Sequence, residues 1–155
     1  MKNLKLLTVM VLLLALGTAQ AKGIPQLDEA LFDDAKQILL YFADGDYESA
    51  AELLEFTDAD ELKKFVTGNF TCMDSDVQTF VSVAFWGYNS WYIAVPLADP
   101  VDGFVETLML RSDDGDTFSG YKYCLWSEAE SEYSKSDYVT WNEEYATADN
   151  LYIID

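Results

Sequence analysis

From residue 27 to residue 43, apolar side chains recur at Leu27, Ala30, Leu31, Ala35, Ile38, Leu39 and Phe42, a spacing that lines up one face of an α-helix. Asp28, Asp33, Asp34 and Lys36 fall on the opposite face. The Gly45 region breaks the pattern, and Tyr47, Ala50, Ala51 and Leu54 restart it as a short second helix. A third is capped by Thr57 or Asp58, with Asp58-Ala59-Asp60-Glu61 reading as a capping box. Leu62, Phe65 and Val66 form its inward face, and it ends near Gly68.

From about residue 77 the period drops to two, and β-branched and aromatic residues dominate. Four strands are expected: Val77 to Trp86, Trp91 to Leu97, Phe104 to Arg111, and Phe118 to Trp126. The turns between them are Gly87 to Ser90, Ala98 to Gly103 and Ser112 to Thr117. Short connections make the order an antiparallel meander. Trp91, Ile93, Val95 and Leu97 share one face of the second strand, and Phe104, Leu108 and Leu110 one face of the third, so these faces should meet the helices. The fold class is therefore α+β, with N-terminal helices packed on a curved antiparallel four-stranded meander. Ser127 to Asp137 alternates serine and acid and reads as an exposed loop. Residues 138–154 read either as a last helix plus an edge strand or as a tail wrapping the sheet.

The chain opens with Lys2 and Lys5, an apolar run from Leu6 to Leu16, and Ala19-Gln20-Ala21. That is the layout of a signal peptide over residues 1–21, cleaved after Ala21, and it sends residues 22–155 to the periplasm or exterior as a single domain. The run is too short for a membrane anchor, which needs about 20 residues. Cleavage removes two of nine basic residues and none of 28 acidic ones, leaving seven against 28 and a net charge of −21. Such a surface repels phosphate backbones and anionic lipid, which argues against nucleic-acid and membrane partners. It favours a basic protein, a cation, or simple solubility. Half the composition is apolar, enough for one compact core.

Two cysteines, Cys72 and Cys124, are expected to pair as a disulfide in an exported chain. A bridge closing about fifty residues would stabilise by roughly 4 kcal/mol on the chain-entropy account. Histidine is absent, which removes the commonest general base and the usual transition-metal ligand. No nucleophile elbow, phosphate loop or dinucleotide fingerprint occurs, and no cofactor is expected. Carboxylates, tyrosines and lysines remain, the set that an isomerase or a glycosidase uses.

Among the carboxylates, Glu106 stands apart in mid-strand, sharing the parity of Leu108 and Leu110. Facing inward, it would have a raised pKa and be the one catalytic candidate. The simpler expectation is an edge or bulge that turns it to solvent. Arg111, the lone arginine, closes the same strand and would pair with an anion or a nearby acid. Trp86 and Trp91 flank the first turn and are placed at a cavity mouth, which makes Trp86, Trp91, Glu106 and Arg111 the binding candidates. Asp113, Asp114 and Asp116 are the metal candidates, although Asp114-Gly115 reads more simply as a hairpin turn. The acids at Asp44, Asp46, Glu48, Glu52 and Glu55 have calcium-loop spacing, but they ride on a helical apolar pattern.

Three helices ahead of a meander, together with Ile38-Leu39-Leu40-Tyr41-Phe42-Ala43-Asp44-Gly45-Asp46-Tyr47-Glu48-Ser49-Ala50-Ala51-Glu52-Leu53-Leu54, resemble the nuclear transport factor 2-like fold, the cone-shaped family that includes the ketosteroid isomerases. The resemblance covers residues 27–126 and implies a cavity between helices and sheet. No inward acid and tyrosine pair is placed by the sequence. The leading expectation is a non-catalytic exported domain that binds a small apolar ligand or a protein partner. The alternatives are an acidic immunity or inhibitor protein against a basic enzyme, and an isomerase-like cavity enzyme using Glu106.

Overall fold

The structure is a computed structural model that describes residues 23–71, 73, 82–99 and 103–142. The signal segment, Cys72, residues 77–81 of the expected first strand and positions 143–155 lie outside the described residues. Helix α1 spans Ala30–Asp44, α2 Tyr47–Leu54 and α3 Ala59–Asn69. α1 starts three residues later than expected, because the Asp28 carboxylate accepts from the Ala30 N–H at 3.0 Å and so marks the helix start. Gly45, at φ 74°, closes α1 in the left-handed conformation that favours glycine, its N–H returning to the Tyr41 and Phe42 carbonyls. Asp46 and Asp58 cap α2 and α3, accepting from the N–H groups of Ser49 at 3.1 Å and Glu61 at 2.9 Å. The capping signal read at Asp58 is real.

Strands β1 (Val83–Gly87), β2 (Ser90–Asp99), β3 (Gly103–Ser112) and β4 (Gly120–Leu125) follow, then helix α4 (Trp126–Tyr133) and strand β5 (Val139–Trp141). All pairs are antiparallel, in the order β4-β3-β2-β1-β5. The class is α+β, with the N-terminal helices preceding the sheet. The β1–β2 loop turns on Tyr88 and Asn89, at φ 50° and 61°, as a two-residue hairpin of the mirror-image type does.

One difference from the expected elements lies after β4. The stretch expected as an exposed loop from Ser127 onward begins instead as helix α4, because Trp126, Ala129 and Tyr133 fall at helical spacing and pack on the sheet while the serines and acids between them face out. The Glu128 carboxylate also accepts from the Leu125 N–H at 2.7 Å, capping the helix start. The last stretch then supplies a short fifth strand on β1.

The sheet buries both faces. Against α1–α3 lie Ala84, Trp91, Ile93, Val95, Leu97, Leu108 and Leu110, packed on Leu31, Phe32, Ala35, Ile38, Leu39, Phe42, Leu54 and Leu62. Each large side chain buried this way stabilises by roughly 1.5–3 kcal/mol. Beneath α4 lies a smaller cluster of Val83, Phe85, Ala94, Met109, Cys124 and Ala129. Among the described residues no helix is long and apolar enough to cross a membrane.

Candidate functional site

Glu106 is buried, at 2 % exposure, so the expectation of a solvent-facing side chain is overturned. An irregularity does interrupt the β2–β3 register between Leu97 and Ala98. It falls one step away, and Glu106 stays opposite Leu97 on the helical face. There the carboxylate accepts the Thr71 N–H at 2.9 and 3.1 Å, the Thr71 hydroxyl at 2.9 Å and the Tyr123 hydroxyl at 3.2 Å. Phe70 stands edge-on to Tyr123 at 5.0 Å. An inward acid and tyrosine therefore do meet, on adjacent strands two residues out of register. Tyr123 pairs with Leu108, and β4 alternation from Tyr121 could have flagged it. The same carboxylate ties the chain leaving α3 to the sheet.

Trp86 and Trp91 are cross-strand partners, with rings edge to face at 5.6 Å. Neither lines any of the three hollows described below. Trp91 is 8 % exposed and packs in the main core. Its indole N–H donates to the Pro25 carbonyl at 2.8 Å, pinning the N-terminal segment onto the sheet. Trp86 is half-buried against the same core.

Arg111 pairs with a nearby acid, its Nε 3.2 Å from Asp113, and also reaches the Ser119 hydroxyl at 3.2 Å. Asp113 additionally accepts from the Ser90 hydroxyl at 2.7 Å. That hydrogen bond, with Arg111 adding attraction, holds its carboxyl below the usual range. Asp114 accepts the N–H groups of Thr117 and Asp116 and the Thr117 hydroxyl, each at 2.8 Å, and the Ser112 hydroxyl at 3.2 Å. These bonds, led by the Thr117 N–H, depress its pKa strongly. The carboxylate is spent on closing the turn. Asp113, Asp114 and Asp116 do not converge on a cation position, and no metal-ligating cluster occurs among the described residues.

Cys124 is buried in the smaller cluster, and burial pushes the pKa of its thiol form up to about 11. A thiol so protonated is a poor nucleophile. Cys72, its expected disulfide partner, lies outside the described residues. Cys124 borders a groove of about 440 Å³ beside α4, also lined by Met109, Lys122, Ser127, Glu128 and Ser131. A second groove of about 200 Å³ shares Met109 and Lys122 and adds Tyr92 and Arg111. The Lys122 ammonium lies 5.9 Å from the Tyr92 ring centre. Thr107, fully buried on β3, keeps its hydroxyl without a hydrogen-bond partner. A third hollow, of about 560 Å³, lies where residues 26–29 meet Asp114 and Asp116.

None of these three hollows opens between the helices and the sheet, where a cone cavity would lie. Phe42, Ile38, Leu39, Leu62, Ile93 and Leu108 occupy that space. The acids of α1–α3 and their loops are turned outward: Asp33, Asp44, Glu48, Glu52, Asp60 and Glu61 lie at the solvent side. Crowding among such acids shows at Asp34, whose pKa is raised by partial burial first and then by Asp33 and Asp28.

Comparison with protein-family models, with curated proteins and with solved structures finds no match. The likeness to the nuclear transport factor 2-like fold rests on element order and residues 38–54 alone.

Proposed function

We propose that the chain is an exported, non-catalytic binding domain whose acidic helical layer holds a basic protein. The observation that carries this reading is the division of labour across α1–α3: the inner side is packed against the sheet, and the outer side presents carboxylates to solvent. A surface of that sign steers a basic partner onto itself and does so less well as salt rises. An immunity or inhibitor role against a basic enzyme is the narrower form of the same reading.

A second reading, an isomerase-like enzyme, draws on the Tyr123 hydroxyl held 3.2 Å from Glu106. It also needs a substrate space beside that pair, whereas Thr71 and Phe70 occupy the neighbouring positions. Small-ligand binding is better served by the groove beside α4 than by the helix–sheet interface.

Native mass spectrometry of the chain purified at low salt from its host's extracytoplasmic fraction tests the proposal. A basic protein at fixed stoichiometry that dissociates as salt is raised is the expected result. A bare monomer counts against the proposal, and a retained small molecule moves the reading to the groove. The same spectrum reports cleavage after Ala21, and a deficit of two hydrogens would report the proposed Cys72–Cys124 bridge.

A further inference from the structure

The loop between α2 and α3 carries an exposed aromatic ring in acidic surroundings. Phe56 is 43 % exposed and stacks on Tyr121 of β4, with centroids 5.9 Å apart and planes 26° from parallel. Tyr121 is itself held from two sides. Its ring lies 4.6 Å from that of Phe65, and its hydroxyl is 3.4 Å from Thr57 Oγ1. Thr57 in turn donates to Glu61 at 3.1 Å. The ring pair is thus a fixed platform, with an exposed carboxylate hydrogen-bonded into its support.

Glu55 and Asp58 flank the platform along the chain and are exposed. Glu55 sits at φ 65°, the left-handed position closing α2 where glycine is the low-strain choice, and immediately precedes Phe56 in the chain. The lysines nearest in sequence, Lys63 and Lys64, lie further along α3.

We propose that this corner is the docking point for an arginine side chain of the basic partner, its guanidinium stacked on Phe56 and Tyr121 and its N–H groups directed to Glu55, Asp58 or Glu61. The inference rests on the basic-partner reading above. Charge complementarity selects a cation, and the ring face selects among cations. A planar guanidinium gains from an aromatic face and from a carboxylate fork at once, whereas an ammonium is a compact, strongly hydrated point charge. Exposed aromatics of this kind anchor interfaces out of proportion to their number.

The test titrates the full mature chain with nona-arginine and, separately, nona-lysine by isothermal calorimetry at about 0.1 M salt, where exposed charges more than about 10 Å apart are largely screened. Both peptides carry the same charge. The expected result is about two- to fivefold tighter binding of the arginine peptide, the worth of an exposed cation–π contact. In Phe56→Leu that preference falls to parity while lysine-peptide affinity holds. Phe56 is largely outside the core, so the variant should keep the parent's circular dichroism spectrum and melting temperature. An arginine preference unchanged in Phe56→Leu overturns the assignment of this corner and leaves the acidic-surface reading standing. Equal affinities in the parent do the same. Failure of both peptides to bind the parent overturns both.

Discussion

A carboxyl group removed from water is costly unless donors replace the lost hydration, and at Glu106 Thr71 and Tyr123 supply them. Glu106→Gln keeps the shape but sets an amide donor against those donors. It should cost about 1–3 kcal/mol, read as a lower urea midpoint with an unchanged slope. An unaltered midpoint would mean that these contacts do not hold the segment after α3. Asp114 is a second acid used for structure. Its folded-state pKa lies below the ordinary value of about 3.9, so its contribution is present above that value and is lost as pH falls through the folded one. Asp114→Asn should therefore lower the melting temperature at neutral pH and flatten the decline on acidification below about pH 4. An identical acid limb in parent and variant would rule out this linkage.

Between elements, the contact least visible in the sequence is that of the N-terminal segment with the β3–β4 turn. The Asp28 N–H donates to the Gly115 carbonyl at 2.8 Å, Ile24 is buried, and the Trp91 indole holds Pro25. Gly115 adopts φ 83°, and a Cβ there would collide with the Gln26 carbonyl. Both the backbone angle and the close approach require glycine. Gly115→Ala should cost at least about 1–3 kcal/mol. It should also expose residues 24–28 to limited proteolysis before the sheet melts. Wild-type protection of that segment would show that it does not depend on the turn.

At the scale of the whole molecule, charge is the feature that sets this chain apart. The full chain carries a formal charge of −19, and the α1–α3 layer concentrates acids on one side. Partial burial and then Asp33 and Asp28 raise the pKa of Asp34, so keeping that group ionised costs stability, and protonation would relieve the cost. Added salt should stabilise the fold for a related reason. Raising ionic strength from about 0.01 to 1 M shortens the screening length from about 30 to 3 Å. The melting temperature should climb with sodium chloride over that range. A flat profile would mean that self-repulsion is already relieved in the folded chain.

Local periodicity was enough to read the three N-terminal helices, the cap at Asp58, the meander, the face of β2 and, at Leu108 and Leu110, that of β3, because each follows from side chains a few positions apart; the Phe104 side chain lies outside the described residues. It hid α4, whose three packing residues are diluted by serines and acids, although Trp126, Ala129 and Tyr133 already stood at helical spacing. The fate of the candidate site was less legible. Parity pointed Glu106 inward, but only the approach of Thr71 and Tyr123 gave its carboxylate partners. Likewise Trp91 became an anchor for Pro25 and Asp114 a clasp for its own turn. Composition alone determined an acidic chain without histidine. Only tertiary structure decided that the helix–sheet interface is packed and that Phe56 stacks on Tyr121, since both depend on which distant segments share the same space.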